Sequence, residues 1–287
     1  MNTGALNRAF KLSQKGHGFK SKFLLLIIGI LNQSASWKRT NSFLRSISSL
    51  FRKNNNFSIR IRQNSKIVNF ALRMNNNSDY QSLFECFSGM YKIPGGDIFY
   101  VLDGGANIGF FAINIFMKNN DIREIICVEP NPANLTFLKT NIEEIHAKVA
   151  NAALSDFSGT ATFNFKEHNT GHIDGSPGHA YFHEQITVNC LTVKDLIPSL
   201  WDMEKTLVKL DIEGQEYNVF RNMFEAGLFP KYVVAELHDY LNAGGGALVD
   251  TFVGNGYEVI IEGTGELGNV CRQIFAERKN AAGNGHA

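Results

Sequence analysis

From Asp79 onward the chain alternates short, apolar, β-rich runs with stretches of helical periodicity, and this alternation restricts it to βαβ units on a mostly parallel sheet. The runs are 98–102, 124–128, 206–210, 232–235, 257–261 and 270–276. Four of them end at or beside a carboxylate: Asp103, Glu129, Asp211 and Glu236. Ligands of open parallel sheets sit in the crevice beyond the carboxyl ends of the strands. These four acids therefore outline a candidate site before any motif is consulted. The segments between the runs have readable starts. Asn131 can cap a helix whose first residue is Pro132, and Gly109 opens a run, 110–117, that is apolar nearly all round, as a helix packed on a sheet must be. After Asp211, Gly214 leads into a helical pattern carrying Val219, Phe220, Met223 and Phe224.

Charge divides the chain where hydropathy does not. Residues 1–78 hold fourteen Lys and Arg and no acid, whereas 79–287 set fourteen bases against all 27 acids, giving +14 and −13. Opposite fields of that size mark a boundary. They predict a basic, partly helical N-terminal arm over 1–78, followed by the α/β domain over 79–280 and a flexible tail over 281–287. The four cysteines are far apart and form no CxxC pair, so reduced thiols in a cytoplasmic protein are expected rather than a disulfide framework or structural zinc. The uncharged run 23–31 is about half of the ~20 residues that span a bilayer. With Lys20 and Lys22 before it and Ser34-Ala35-Ser36 after it, a secretory leader is the competing reading.

The central motif is Val101-Leu102-Asp103-Gly104-Gly105-Ala106-Asn107-Ile108-Gly109, a strand, a small-residue turn and a helix start. Gly105 and Gly109 remove side chains where a ligand and the helix must approach the turn. One βαβ unit later Glu129 ends the next strand, where an acid can accept hydrogen bonds from both ribose hydroxyls of an adenosine ligand. The bland alternative for Glu129 is a carboxylate favoured by a helix dipole. A dehydrogenase requires G-x-G-x-x-G, but Ala106 replaces the second glycine and Asp103 precedes the turn, which suits a cationic ligand better than a pyrophosphate.

In LDGGANIGFFA (102–112), VEPNPANLTFLKTNI (128–142), NAALSDFSGTATF (151–163), VKLDIEGQEYNVF (208–220) and AELH (235–238), the chain resembles the FkbM-type methyltransferases, DIEGQE being the most specific stretch. The resemblance implies an α/β fold, the class I methyltransferase Rossmann-like seven-stranded, mostly parallel sheet with helices on both faces. It also implies an S-adenosylmethionine cofactor and O-methylation of a hydroxyl on a sugar, glycan, lipid-linked or polyketide-like acceptor. On it, Asp103, Gly105, Asn107 and Gly109 form the cofactor turn, Glu129 the ribose ligand, and Leu154 and Asp156 the neighbourhood of the adenine. Asp211 lies at the centre of the crevice and, with His238, is a candidate base. Glu213 and Glu216 are either substrate contacts or helix-start carboxylates of structural use. The sequence departs from the pattern at Gly104, where a bulkier residue is usual.

Four histidines within 168–183 suggest metal, but the Gly and Pro residues among them argue against a shared helix face. No metal is expected, and the segment reads as a polar loop over the acceptor, with Asn169, His172, Glu213 and Glu236 as candidate contacts. Nucleic acid is not expected, because the acidic domain repels a polyanion. Nitrogen methylation, or a non-catalytic module acting through the basic arm, are the alternative functions. Within the arm, Phe43, Leu44, Ile47, Leu50 and Phe51 share one helical face among basic residues, which predicts either a lid or peripheral membrane contact through residues 1–60.

Overall fold

The structure, a computed structural model, describes residues 3–31, 56–73, 76–89, 91–145, 147–165, 171–173, 184–238, 244–263 and 271–279. The predicted helical face at 43–51, the tail at 281–287 and Asn169 lie outside the described residues. Two compact units emerge. One comprises Met1–Lys92, Asn107–Asn120 and Thr136–His146, the other Ile93–Ala106, Asp121–Leu135 and Ala147–Ala287.

The first unit opens with α1 (Thr3–Gln14) and α2 (Phe19–Leu31), which pack so closely that a Cβ on Gly29 would lie 2.7 Å from the Cα of Ala9. A hairpin of β1 (Asn56–Gln63) and β2 (Lys66–Arg73) follows. It lies in a stretch that charge alone describes only as a basic arm. Its cause is a period of two: Ile59 and Ile61 are buried while Ser58, Arg60 and Arg62 face out, and Asn64 at φ 55° turns the chain. The helix α3 (Asn77–Ser88) is capped by the Asn76 side chain, which accepts from the amides of Ser78 and Asp79. Arg73 at the end of β2 pairs with Asp79 at 2.5 Å, and both are buried. The last basic residue of the acid-free stretch thus meets the first acid of the chain.

Next in sequence come β3 (Tyr100–Gly104) and β4 (Glu124–Val128), which belong to the second unit, with α4 (Phe110–Lys118) of the first unit between them in the chain and α5 (Pro132–Ile142) after them. The expected Asn131 cap is present, its side chain accepting from the Ala133 amide at 3.0 Å. Gly109, at φ 96°, starts α4, and a Cβ there would lie 2.9 Å from Ile142 and 3.2 Å from Leu138. Its lack of a side chain serves helix packing. Asn141 ties the unit together, accepting from the Ala71 amide at 2.7 Å and donating to the carbonyls of Ala71 and Ile108.

The second unit is built on a seven-stranded sheet. It contains β3, β4, β5 (Lys148–Ala150), β10 (Thr206–Leu210), β11 (Tyr232–His238), β12 (Tyr257–Gly263) and β13 (Cys271–Arg278), in the order β12-β13-β11-β10-β3-β4-β5. β3, β4, β5, β10 and β11 are parallel, and β13 runs antiparallel between β11 and β12. The chain leaves β3 outward through β4 and β5 and later returns on its other side through β10, which puts a topological switch point between β3 and β10. A second sheet, β6 (Ala153–Leu154), β7 (Gly159–Phe165), β8 (Gly171–Ile173) and β9 (Glu184–Leu191), encloses a small core of Phe163, Phe165, Ile173, Val188 and Cys190. Part of the segment expected to be a loop is therefore strand. Helices α6 (Val193–Leu196), α7 (Glu216–Glu225) and α8 (Gly245–Gly254) complete the unit. Leu210, Val219, Phe220, Met223 and Phe252 are among its fully buried residues. Cys86, Cys127 and Cys190 are buried thiols outside any disulfide, and no described helix is long and apolar enough to cross a membrane.

Candidate active site

Within the second unit, the turns that follow β3 and β10 meet backbone to backbone. The Asp211 amide donates to the Gly104 carbonyl at 3.2 Å, and a Cβ on Gly105 would lie 1.9 Å from the Asp211 carbonyl oxygen. Gly105 also has φ 71°, so both its freedom and its missing side chain are required here. The amides of Gly105 and Ala106 donate to the Val128 carbonyl, which draws the end of β4 into the same edge. Gly104 departs from the expected bulk for a local reason. A Cβ there would sit 2.5 Å from the Leu154 side chain and 2.8 Å from that of Leu210.

Beneath this floor lies Lys209, which sequence reasoning missed. Its ammonium donates to the carbonyls of Gly104 at 3.1 Å and Gly105 at 2.9 Å, and stands 3.3 Å from Asp103 and 3.8 Å from Asp211. Lys209 and Asp103 are both buried. A cation amid buried carbonyls and a buried carboxylate is held by charge-assisted contacts on several sides. The available signal was a lysine inside the otherwise apolar run 206–210.

Glu216, the first residue of α7, has no exposed surface and organises the turn before it. Its Oε1 accepts from the Ile212 amide at 2.9 Å, its Oε2 accepts from the Gly214 amide at 3.0 Å, and the Nδ1 of His238 lies 3.0 Å from Oε1. Between those amides Glu213 adopts φ 57°, which brings its carboxylate to 3.4 Å from the Nε2 of His238. Each ring nitrogen of His238 therefore faces a carboxylate. Burial disfavours the charged imidazole, but the Glu216 hydrogen bond and the charges of Glu216, Glu213 and Asp211 outweigh it and push its pKa up to about 11. His238 is an imidazolium at neutral pH and must lose that proton before it can act as a base. Asp211, Glu213 and His238 bring potential ligand atoms within 4.8 Å of one another, a set that could hold a metal ion only by displacing the imidazolium proton.

Glu129 lies just past β4 and is buried. Its Oε1 accepts from the Asn131 amide at 3.0 Å and from the Asn134 side chain at 3.1 Å, so the carboxylate is oriented by the loop that starts α5. Asp103, Gly105, Glu129, Asp211, Glu213 and His238 thus gather along the carboxyl edge of β3, β4, β10 and β11. Asn107 (φ 52°) and Gly109 belong to the first unit, where the Arg73 guanidinium stands 3.5 Å from the Asn107 side-chain oxygen. Leu154 is buried in the main core, and Asp156 is exposed, its carbonyl accepting from Asn222. His172 is buried within β8. Glu236 does not end its strand: antiparallel pairing with β13 carries β11 on to His238, and Glu236 stands opposite Gln273.

Residues 103–259 match the family described as the methyltransferase FkbM domain. No curated protein matches the chain in sequence. Among solved structures it is similar to a methyltransferase FkbM from Methylobacillus flagellatus KT, at 11% identity and a TM-score of 0.46, over 94% of this chain and 59% of that one. The chain thus spans less than two thirds of that protein. It is also similar to TYW2 of M. jannaschii in complex with AdoMet (12% identity, TM-score 0.40, 80% of this chain and 89% of that one). A third is a putative RNA methyltransferase from Pyrococcus horikoshii (14% identity, TM-score 0.37, 70% and 84%).

Proposed function

The chain belongs to the FkbM methyltransferase family, and from that premise we propose that it transfers a methyl group from S-adenosylmethionine to a hydroxyl of a sugar, glycan, lipid-linked or polyketide-like acceptor. The observation that carries this reading is the charge of the crevice edge. Five carboxylates (Asp103, Glu129, Asp211, Glu213 and Glu216) stand there against two cations, Lys209 and His238. The net negative field of that edge suits a ligand bearing ammonium and sulfonium charges, Glu129 suits a ribose diol, and the field disfavours a pyrophosphate or a long polyanion.

When bound, the cofactor supplies a methyl group already activated by the sulfonium. What remains for the chain is alignment, worth on the order of several kcal/mol, and handling of one proton. Glu129, oriented by Asn131 and Asn134, is suited to the ribose. Asp211 is partly exposed at the switch point and held near Lys209, so its carboxylate can face the acceptor hydroxyl and take the proton as the new bond forms. The protonated state of His238 supports a second reading, nitrogen methylation, because a nitrogen lone pair needs no base. Free buried thiols support a cytoplasmic setting.

Calorimetry with S-adenosylmethionine and S-adenosylhomocysteine tests the cofactor. Mass spectrometry of methyl incorporation across pooled glycan, lipid and small-molecule extracts then tests the acceptor. Absence of binding to well-folded protein removes the proposal, and an N-methyl product selects the second reading.

A further inference from the structure

At the other end of the molecule's chemistry, the turn between α1 and α2 carries an aromatic pair set in a basic field. Phe19 and Phe23, one helical turn apart, stack with centroids 6.2 Å apart, yet Phe19 is 85% exposed and Phe23 is 40% exposed. Lys20 and Lys22 flank that face and are exposed. The turn is fastened to β1: the His17 amide donates to the Arg60 carbonyl at 2.8 Å, the Arg62 amide to the Lys15 carbonyl at 2.6 Å, and the Arg60 amide to the Ser21 hydroxyl at 3.0 Å. Because Ile59 and Ile61 point inward, Arg60 and Arg62 point outward beside the same turn. Desolvation first, and then the positive charges of Arg62, Arg60 and Lys22, hold the His17 imidazole below its ordinary range. No acid occurs in residues 1–78, and Glu144 is joined to Arg60 through the Asn69 side chain.

Exposed aromatic rings beside lysines with long apolar stems suit the boundary between headgroups and acyl chains, where rings insert and ammonium groups stay among phosphates. We propose that the Phe19–Phe23 face, with Lys20, Lys22, Arg60 and Arg62, is a docking surface for an anionic lipid bilayer. Neither element needs to span the membrane. The rings supply shallow insertion and the four cations supply attraction to the negatively charged leaflet. Polar side chains in place of the rings would leave a purely electrostatic surface of the kind that also tracks nucleic-acid phosphates. The stacked, exposed rings are what favour lipid.

The test is sedimentation of the full chain with vesicles of phosphatidylcholine alone or mixed with phosphatidylserine. Recovery is expected on the mixed vesicles only and is expected to fall with added salt. Phe19→Ser with Phe23→Ser should weaken it about tenfold, and Arg60→Gln with Arg62→Gln about fivefold for each charge removed. All four positions are exposed, so thermal melting is expected to stay unchanged, which separates lost docking from lost fold. No recovery on anionic vesicles, or equal recovery of wild type and both double variants, overturns the proposal. So does loss in the arginine variant alone, because an unspecific positive field would give the same result. Capture of a labelled single-stranded RNA without capture on vesicles reassigns the surface to nucleic acid.

Discussion

The Nδ1 of His238 lies 3.0 Å from the Oε1 of Glu216, a carboxylate with no exposed surface, so the end of β11 and the start of α7 are joined through a proton. The folded protein binds that proton more tightly than the unfolded chain, whose histidine has the ordinary value of 6.5. The contact's contribution is therefore complete below pH about 6.5 and declines as pH rises toward about 11. Denaturant midpoints of wild type and His238→Gln should differ most at or below pH about 6.5, less at each step above it, and converge as pH approaches about 11. A gap independent of pH across that window would falsify the imidazolium assignment.

Glu129→Ala is expected to weaken S-adenosylmethionine and S-adenosylhomocysteine by about 2 to 3 kcal/mol, the value of lost charge-assisted hydrogen bonds. Because Oε1 also holds the Asn131 amide and Asn134, part of the loss comes from a loosened loop. Calorimetry alongside thermal melting separates these parts. Unchanged affinity in a folded variant removes Glu129 from the cofactor site.

Asp211→Asn should depress methyl transfer more than cofactor affinity, because its carboxylate is assigned to the acceptor's proton. Single-turnover rates and binding constants measured on one preparation decide the matter. Equal loss in both would make Asp211 a cofactor contact.

Gly105→Ala is expected to destabilise the protein by about 3 kcal/mol or more, since a left-handed backbone angle and a clash with the Asp211 carbonyl act together. Urea denaturation reads the loss. A variant as stable as wild type would show that the two turns can part without penalty.

Lys209→Met leaves Asp103 buried beside a group that no longer bears charge, and a broken buried pair costs about 3 to 5 kcal/mol. Adding Asp103→Asn should recover part of that loss. If the second substitution only adds to the first, the two side chains are not coupled.

Much of the fold was legible because strand and helix periods are written in apolar residues. The runs at 124–128 and 206–210 became β4 and β10 without a shift in either boundary. The second sheet was not, because β7 reads Gly-Thr-Ala-Thr-Phe-Asn-Phe, whose threonines and asparagine look like loop chemistry until β9 pairs with it and Gln185 donates to the buried Asn164. The hairpin β1–β2 does alternate, but its outward positions are partly arginine, and the charge count drew attention away from the period. In the site, the carboxylates stood out as strand endings. Lys209 did not, because a lysine inside a strand looks like an outward-facing residue unless its partners across the sheet are known. Glu216 was visible, but nothing in the one-dimensional pattern shows that it accepts from two amides and faces a histidine 22 residues away.

The Arg73–Asp79 pair bridges the charge discontinuity at which one would naturally trim the chain. A polypeptide begun at Asp79 would retain a carboxylate with no exposed surface and lose the guanidinium that contacts both it and Asn107. The place where composition changes is therefore a suture, and a shortened version intended to isolate the catalytic half should start upstream of the hairpin.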